Sequence, residues 1–144
     1  MFDAWPFRPK AIEVIDELKR RGCLICLITG SIGIYARHIA DKLNVEHYFA
    51  NAELYFDNDG NMIDFHYTTD QANVKLAHLT EFCALHKLQI TECMPIGDSN
   101  NDIEIFKRSG NGVLLDDSSE VTNELRAASK NTIKSLTELL DILG

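Results

Sequence analysis

Apolar positions in this chain switch repeatedly between helical spacing and short continuous runs. Ile12, Ile15 and Leu18 recur at three-residue intervals, which predicts an amphipathic helix over residues 11–21. The run CLICLI at 23–28 is apolar throughout, a pattern typical of a strand covered on both faces. We expect this strand to stop at the following Thr-Gly-Ser, and a second helix to form over IGIYARHIADKL.

The middle of the chain changes to strand-like patterning around a turn signal. YFANAELYF and MIDFHY flank Asn58-Asp59-Gly60, and Asp-Gly between two apolar runs is a strong indication of a β-hairpin. Helical spacing then returns in QANVKLAHLTEFCALHKL, which predicts a long helix.

The last third of the chain continues the alternation. The pattern predicts a strand in CMPIG, a helix in DIEIFKRSG, a strand in GVLL, a helix in SSEVTNELRAAS whose serines suit its cap, and a strand with a final helix in TIKSLTELLDIL. Such alternation predicts an α/β fold with three layers, in which a doubly wound parallel sheet lies between helices. We expect residues 1–144 to form a single domain.

Composition narrows the classes of partner. Acidic residues outnumber basic ones by 22 to 14, for a net charge of −8, which argues against nucleic-acid binding. No apolar run approaches the roughly 20 residues that cross a bilayer, and MFDAWPFRPK lacks the apolar core of a secretory signal. We therefore expect no membrane partner and a cytoplasmic location.

The cysteines predict packing rather than chemistry. Cys23 and Cys26 form a C-x-x-C spacing in an extended run, where an offset of three points to opposite faces. Cys83 and Cys93 add no zinc-binding spacing. We interpret all four as small apolar residues in a reducing compartment.

Two carboxylates in PIGDSNNDIEIF lie where a strand meets a helix. Asp98 is a preferred type of helix cap, and capping is one interpretation. The other is a Mg²⁺ site, because hard oxygen ligands suit Mg²⁺ and Asp102 lies about one helical turn away. Gly97 would let the backbone approach a ligand closely.

Thr29-Gly30-Ser31 also allows two interpretations. It is either a plain strand-to-helix turn capped by Ser31, or a phosphate site formed by the Thr29 hydroxyl and the backbone N–H groups that follow. Thr29 and Asp98 both follow predicted strands, and ligands of parallel sheets bind beyond such carboxyl ends. Lys75 is either a solvated side chain or a positive charge that steadies a phosphoryl group.

The motifs occur in a recognisable order: LICLITGS, then Lys75 in NVKLAHL, then MPIGDSNNDIEIFKRSGNGVLL. This series resembles the haloacid dehalogenase superfamily, which has a Rossmann-like fold, and most closely its phosphoserine phosphatase-like branch. Thr29 matches the Ser/Thr of the second motif, Lys75 the lysine of the third, and Asp98 with Asp102 the acidic pair of the fourth.

The resemblance implies a Mg²⁺-dependent phosphomonoesterase that hydrolyses a small phosphorylated metabolite through a phospho-aspartyl intermediate. It implies that Asp98 binds the metal and that Asp102 orients the site beside it. It further implies that the remaining motif residues serve the phosphate, as contacts from Thr29, Gly30 and Asn101 and as the balancing charge of Lys75.

The chain departs from the family at the first motif, D-x-D-x-T/V after an apolar strand, which supplies the nucleophile and the general acid/base. Asp3 follows no predicted strand, and Asp57 with Asp59 falls in the predicted hairpin turn. We therefore expect a family core that lacks its N-terminal portion and cap, and that is inactive alone.

The absent first strand would be the central one, between CLICLI and CMPIG. We expect the sheet to close by rearrangement, by pairing with another chain such as a second copy, or with an N-terminal segment of a longer protein. An alternative function is a non-catalytic domain that binds phosphate or metal, or that dimerises. A phospho-accepting receiver domain fits less well, because its acidic pair would follow the first strand.

Overall fold

The computed structural model describes residues 7–119 and 121–144. Its helices are α1 (Ala11–Arg20), α2 (Gly33–Leu43), α3 (Gln71–His86), α4 (Ile103–Ser109), α5 (Asn123–Ala128) and α6 (Leu139–Ile142). Its strands are β1 (Cys26–Ile32), β2 (His47–Phe56), β3 (Met62–His66), β4 (Ile96–Gly97), β5 (Val113–Leu115) and β6 (Asn131–Ile133). None of the described helices is long and apolar enough to span a membrane.

The predicted α/β class is confirmed, with parallel pairing throughout except at the hairpin. β1 pairs with β2, β4 with β5, and β5 with β6, all in parallel, while β2 and β3 are antiparallel. The strands form two separate three-stranded sheets, ordered β1-β2-β3 and β4-β5-β6. Within the described residues, no strand joins β1 to β4.

Helices cover both faces of the strands, as the continuous apolar runs predict. Leu114 packs into a cluster with Leu79 and Phe106, on the face of α3, α4 and α5. Its neighbours Val113 and Leu115 pack on the opposite face, against α1 and α6. This alternation follows from the two-residue period of a strand.

The first strand begins later than predicted and runs further. β1 starts at Cys26 and includes Thr29, Gly30 and Ser31, which the sequence pattern assigned to a turn. The reason is its partner: β2 continues beside it, and Ile32 pairs with Ala52 after an irregularity in register. The pairing therefore keeps the Thr-Gly-Ser segment extended.

Two local predictions need correction. Ile12 is exposed, and the buried face of α1 is formed by Ala11, Val14 and Leu18. The cap of α5 is Thr122, whose hydroxyl accepts the Leu125 N–H, rather than one of the serines. The helix begins later than the serines suggest, because Thr122 supplies the first acceptor for the free N–H groups.

All four cysteines are free thiols, as predicted. Cys23 and Cys26 pack against different apolar clusters, which is the opposite-face arrangement expected from their spacing. Cys83 and Cys93 lie with their Sγ atoms 3.4 Å apart, a proximity that the sequence did not indicate. Burial raises the pKa of the Cys26 and Cys93 thiols to about 12, so both remain protonated at neutral pH.

Candidate functional site

The loop after β4 is organised by Asp102. Its Oδ2 accepts the backbone N–H groups of Asp98 and Ser99, each at 3.1 Å, and Ser99 begins the 3₁₀ turn Asn100–Asp102. Ser99 and Asp102 form a reciprocal capping box. The capping interpretation of Asp98 is therefore wrong, and the Asp98 carboxylate is left for another partner.

Gly97 is required by the same carboxylate. A Cβ at position 97 would overlap the Asp102 carboxyl group. The sequence suggested that Gly97 lets the backbone approach a ligand closely. In the structure the group that lies against Gly97 is the Asp102 carboxylate. The loop can fold tightly against the end of β4 because no side chain stands between them.

Lys75 is held by Asp102. Its Nζ donates to Asp102 Oδ1 at 2.8 Å, and the two side chains are 15% and 5% exposed. Asp70 caps α3 by accepting the Asn73 N–H, and Lys75 lies about one turn further along. The interpretation of Lys75 as a solvated surface lysine is therefore wrong.

The segment around Thr29 faces the start of α3. Thr29 Oγ1 accepts the Ser31 N–H at 3.1 Å, and α2 is preceded by Ile32 without a side-chain cap. The proposed capping by Ser31 is therefore wrong. Gly30 lies directly against the Gln71 side chain, whose Oε1 would overlap a Cβ at position 30.

Gln71 connects three parts of the site and was missed by the sequence analysis. Its Oε1 accepts from Asn101 Nδ2 at 3.1 Å, beside Gly30, and its Nε2 donates to the Tyr67 hydroxyl. A signal existed, because Gln71 lies four residues before Lys75 and such pairs share a helix face. A carbonyl oxygen thus stands where Gly30 and Asn101 meet.

Arg8 was also missed. Its guanidinium donates to Asp98 Oδ2 at 2.6 Å and pairs with Asp117. Asp98 follows β4 and Asp117 lies two residues beyond β5, so the two carboxylates come from the carboxyl ends of neighbouring parallel strands. Arg8 reaches them from the segment that precedes α1.

Thr29, Lys75, Asp98 and Asp102 line one groove of about 800 Å³. The groove separates β1 from β4, and below these polar residues it is lined mainly by apolar side chains from both strands, α1 and α3. Among the described residues, β1 pairs with β2 alone and β4 with β5 alone. One edge of each strand, on the side of the groove, therefore has no backbone partner within the described part of the chain.

Two other places in the sequence were considered for the first motif, at Asp3 and at Asp57 with Asp59. Asp3 lies outside the described residues. Asp57 Oδ1 accepts the backbone N–H groups of Asp59 and Asn61, so Asp57 closes the turn between β2 and β3, as predicted. Over residues 7–119 and 121–144, no group of three or more His, Cys, Asp or Glu side chains is arranged to hold a metal ion.

Comparison with known proteins agrees with this fold. Residues 1–110 match the haloacid dehalogenase-like hydrolase family. The chain is 30% identical to a phosphoserine phosphatase of Methanocaldococcus jannaschii over 101 residues, 69% of this chain and 47% of that protein. It is 28% identical to a probable phosphoserine phosphatase of Schizosaccharomyces pombe over 144 residues, 96% of this chain and 46% of that protein. The chain spans about half the length of these curated relatives.

A solved structure of a phosphoserine phosphatase in its apo form superposes with a TM-score of 0.79 at 22% identity, covering 97% of this chain and 68% of that one. A substrate-bound phosphoserine phosphatase complex gives 0.78 at the same identity, with 98% and 66% covered. The fold is therefore shared, and the match over residues 1–110 covers well over half of the sequence. The chain belongs to the haloacid dehalogenase-like hydrolase family, as its phosphoserine phosphatase-like motifs indicated.

Proposed function

We propose that this chain is the core of a magnesium-dependent phosphomonoesterase that acts on a small phosphorylated metabolite. The observation that carries the proposal is the meeting of Thr29, Lys75, Asp98 and Asp102 in one groove. These residues come from three distant segments of the sequence. Thr29 lies within β1, and Asp98 directly follows β4, at the carboxyl end of a parallel strand, where such folds bind ligands. Phosphoserine phosphatase relatives support the substrate class.

Asp98 fits the role of cation ligand. Phosphatases of this family generally use Mg²⁺, which binds through one or two carboxylates and keeps several waters. Asp98 offers hard oxygens, and the Arg8 guanidinium already places a positive charge against it. When bound, Mg²⁺ would polarise the phosphoryl oxygens. Asp102 would act beside the metal, since its oxygens hold Lys75 and the loop.

The phosphate would lie where Gln71 Oε1 now lies. That oxygen already accepts from Asn101 and touches Gly30, so the position suits an acceptor oxygen such as that of a phosphoryl group. Thr29 would add its hydroxyl and Lys75 its charge, held in place by the buried contact to Asp102. Fixed donors of this kind stabilise negative charge that develops during phosphoryl transfer.

The nucleophile would come from a strand seated in the groove. We infer that a further parallel strand, ending in a D-x-D motif, pairs with β1 and β4 and joins the two sheets. Its first carboxylate would attack phosphorus while the P–O bond to the alcohol breaks, and its second carboxyl group, in the protonated form, would donate its proton to the leaving oxygen and later recover one from the attacking water. Water would then hydrolyse the acyl phosphate and release phosphate. We expect negligible turnover without such a strand.

A non-catalytic function is the second candidate. The open edges of β1 and β4 favour it, because unpaired strand edges can pair with another chain. In this case the groove would accept a strand from a second copy, and phosphate or Mg²⁺ would bind without turnover.

Addition of a peptide tests the catalytic proposal. The 144-residue chain is mixed with an apolar peptide of about eight residues, a usual strand length, that ends in D-x-D. A matched peptide carries Asn in place of the first Asp. We expect Mg²⁺-dependent phosphate release from phosphoserine with the first peptide, none with the second, and loss on Lys75→Met. Rapid release by the chain alone would contradict the need for a strand, and dimers by sedimentation without release would favour the second candidate.

A further inference from the structure

Arg8 joins three segments that are distant in sequence. The Arg8 carbonyl accepts the Ala11 N–H at 3.1 Å at the start of α1, so the backbone of Arg8 is fixed to that helix. Its guanidinium then reaches Asp98, 90 residues away in sequence, and Asp117 beyond β5. One cation therefore bridges two carboxylates at the ends of adjacent strands.

The contact between Arg8 and Asp98 is accessible to exchange. The Arg8 side chain is 40% exposed and that of Asp98 is 44% exposed. Ser99 and Asp102 already perform the capping of the loop, so the structure of the loop does not depend on the Asp98 carboxylate. A solvent cation can thus replace the guanidinium at Asp98 without unfolding the turn.

Asp117 provides a second position for the guanidinium. Arg8 contacts Asp98 through Nη2 and Asp117 through Nη1. If the bond to Asp98 breaks, the bond to Asp117 can hold the side chain nearby. Arg8 therefore has one contact that an incoming cation can replace, at Asp98, and a second contact, at Asp117, that can keep the side chain in the same region.

We propose that Arg8 is an internal counter-ion for the cation site, which a divalent cation must displace to bind Asp98. The proposal rests on the assignment of the cation to Asp98 in the proposed function. Because a guanidinium and Mg²⁺ compete for one carboxylate, Arg8 lowers the affinity for Mg²⁺. By the same linkage, Mg²⁺ releases Arg8 from Asp98 and leaves it on Asp117.

Calorimetric titration with Mg²⁺ alone tests this competition. An exposed ion pair contributes up to about 1 kcal/mol, so we expect Arg8→Gln to bind Mg²⁺ about two- to fivefold more tightly than the wild type. Arg20→Gln is the matched control, because Arg20 pairs with Glu17 within α1, and it should leave the dissociation constant unchanged. Arg8→Gln combined with Asp98→Ala should abolish binding.

The outcomes separate the two proposals. Equal or weaker Mg²⁺ binding by folded Arg8→Gln, with wild-type binding that depends on Asp98, overturns the role of Arg8 alone. If neither the folded wild type nor folded Arg8→Gln binds Mg²⁺, the assignment of the cation to Asp98 is overturned as well. If Arg8→Gln does not fold, NMR of the wild type replaces it. The Arg8 Nε–H signal should then shift with the calorimetric midpoint, and an unchanged signal overturns the proposal.

Discussion

Lys75 Nζ lies 2.8 Å from Asp102 Oδ1, and this ion pair is largely removed from solvent. The same Asp102 carboxylate binds the backbone of the loop after β4. The pair therefore fixes two motifs of the candidate site to each other, one on α3 and one on the loop. Its loss should be felt in both the stability of the fold and the shape of the site.

Replacement of one partner should destabilise the protein strongly. In Lys75→Met the buried Asp102 carboxylate loses its cationic partner, which we expect to cost about 3 kcal/mol of unfolding free energy. Urea denaturation measures this change. Arg20→Met, which removes an ion pair to Glu17 at the surface, is the control and should cost far less. Equal costs for the two variants would contradict a structural role for the buried pair.

Gly97→Ala should be destabilising because of Asp102. The new Cβ would overlap the Asp102 carboxyl group, so the loop must shift, at a cost of about 1–3 kcal/mol. The clash disappears when the carboxyl group is removed. Gly97→Ala should therefore cost less in an Asp102→Ala background, and additive costs in this double-mutant cycle would show that the two positions do not interact.

Gln71 should control access of phosphate to its site. Its carbonyl oxygen occupies the position between Gly30 and Asn101, so Gln71→Ala should bind inorganic phosphate about two- to fivefold more tightly, since it removes one competing hydrogen bond of about 0.5–1 kcal/mol. Gln71→Glu has the same shape but adds a negative charge, and should bind phosphate more weakly than the wild type. Calorimetry with phosphate measures both. Equal affinities for the two variants would place the phosphate elsewhere.

Stability should fall in mildly acidic solution through His78. Burial lowers the pKa of His78 below 6.5, and its Nδ1 is buried without a hydrogen-bond partner among the described residues. The unfolded chain therefore takes up a proton that the folded protein does not, so the stability present above pH 6.5 is lost as the pH falls through the folded pKa.

His78→Phe keeps an aromatic ring stacked on Phe49 and removes the titration. Between pH 7 and about 5, a range that spans the usual pKa of histidine, the melting temperature of this variant should decline less than that of the wild type. His66→Phe, at an exposed histidine of β3, is the control. Parallel declines in the wild type and His78→Phe would contradict the assignment.

Local patterning was sufficient for most of the fold. The apolar runs around Val113 and Leu114 alternate between two faces, and that period can be read directly from neighbouring residues. The end of β1 could not be predicted in this way. Its extension through Ile32 depends on pairing with Ala52 of β2, which no local pattern encodes.

The same limit applies to the candidate site: residues that belong to sequence motifs could be predicted, and residues placed only by long-range contacts could not. Three site residues belong to motifs that follow one another in a fixed order, namely Thr29, Lys75 and Asp98. That order predicted a shared site, and in the structure all three residues line one groove. Arg8 and Gln71 carry no such pattern. Arg8 contacts a residue 90 positions away in sequence, and Gln71 contacts a residue 30 positions away. An arginine just before a helix, or a glutamine at its start, ordinarily faces solvent.

The coupling between Mg²⁺ and phosphate tests the central claim, which is that Asp98 holds a cation beside a phosphate site. Mg²⁺ affinity is measured by calorimetry with and without inorganic phosphate, on the wild type, on Asp98→Ala and on Asp64→Ala as a control at an exposed carboxylate of β3. We expect phosphate to strengthen Mg²⁺ binding about fivefold or more in the wild type and the control, a typical coupling between linked sites, and to have no effect in Asp98→Ala. Mg²⁺ binding that is unaffected by phosphate in the wild type, or that survives unchanged in Asp98→Ala, would contradict the account.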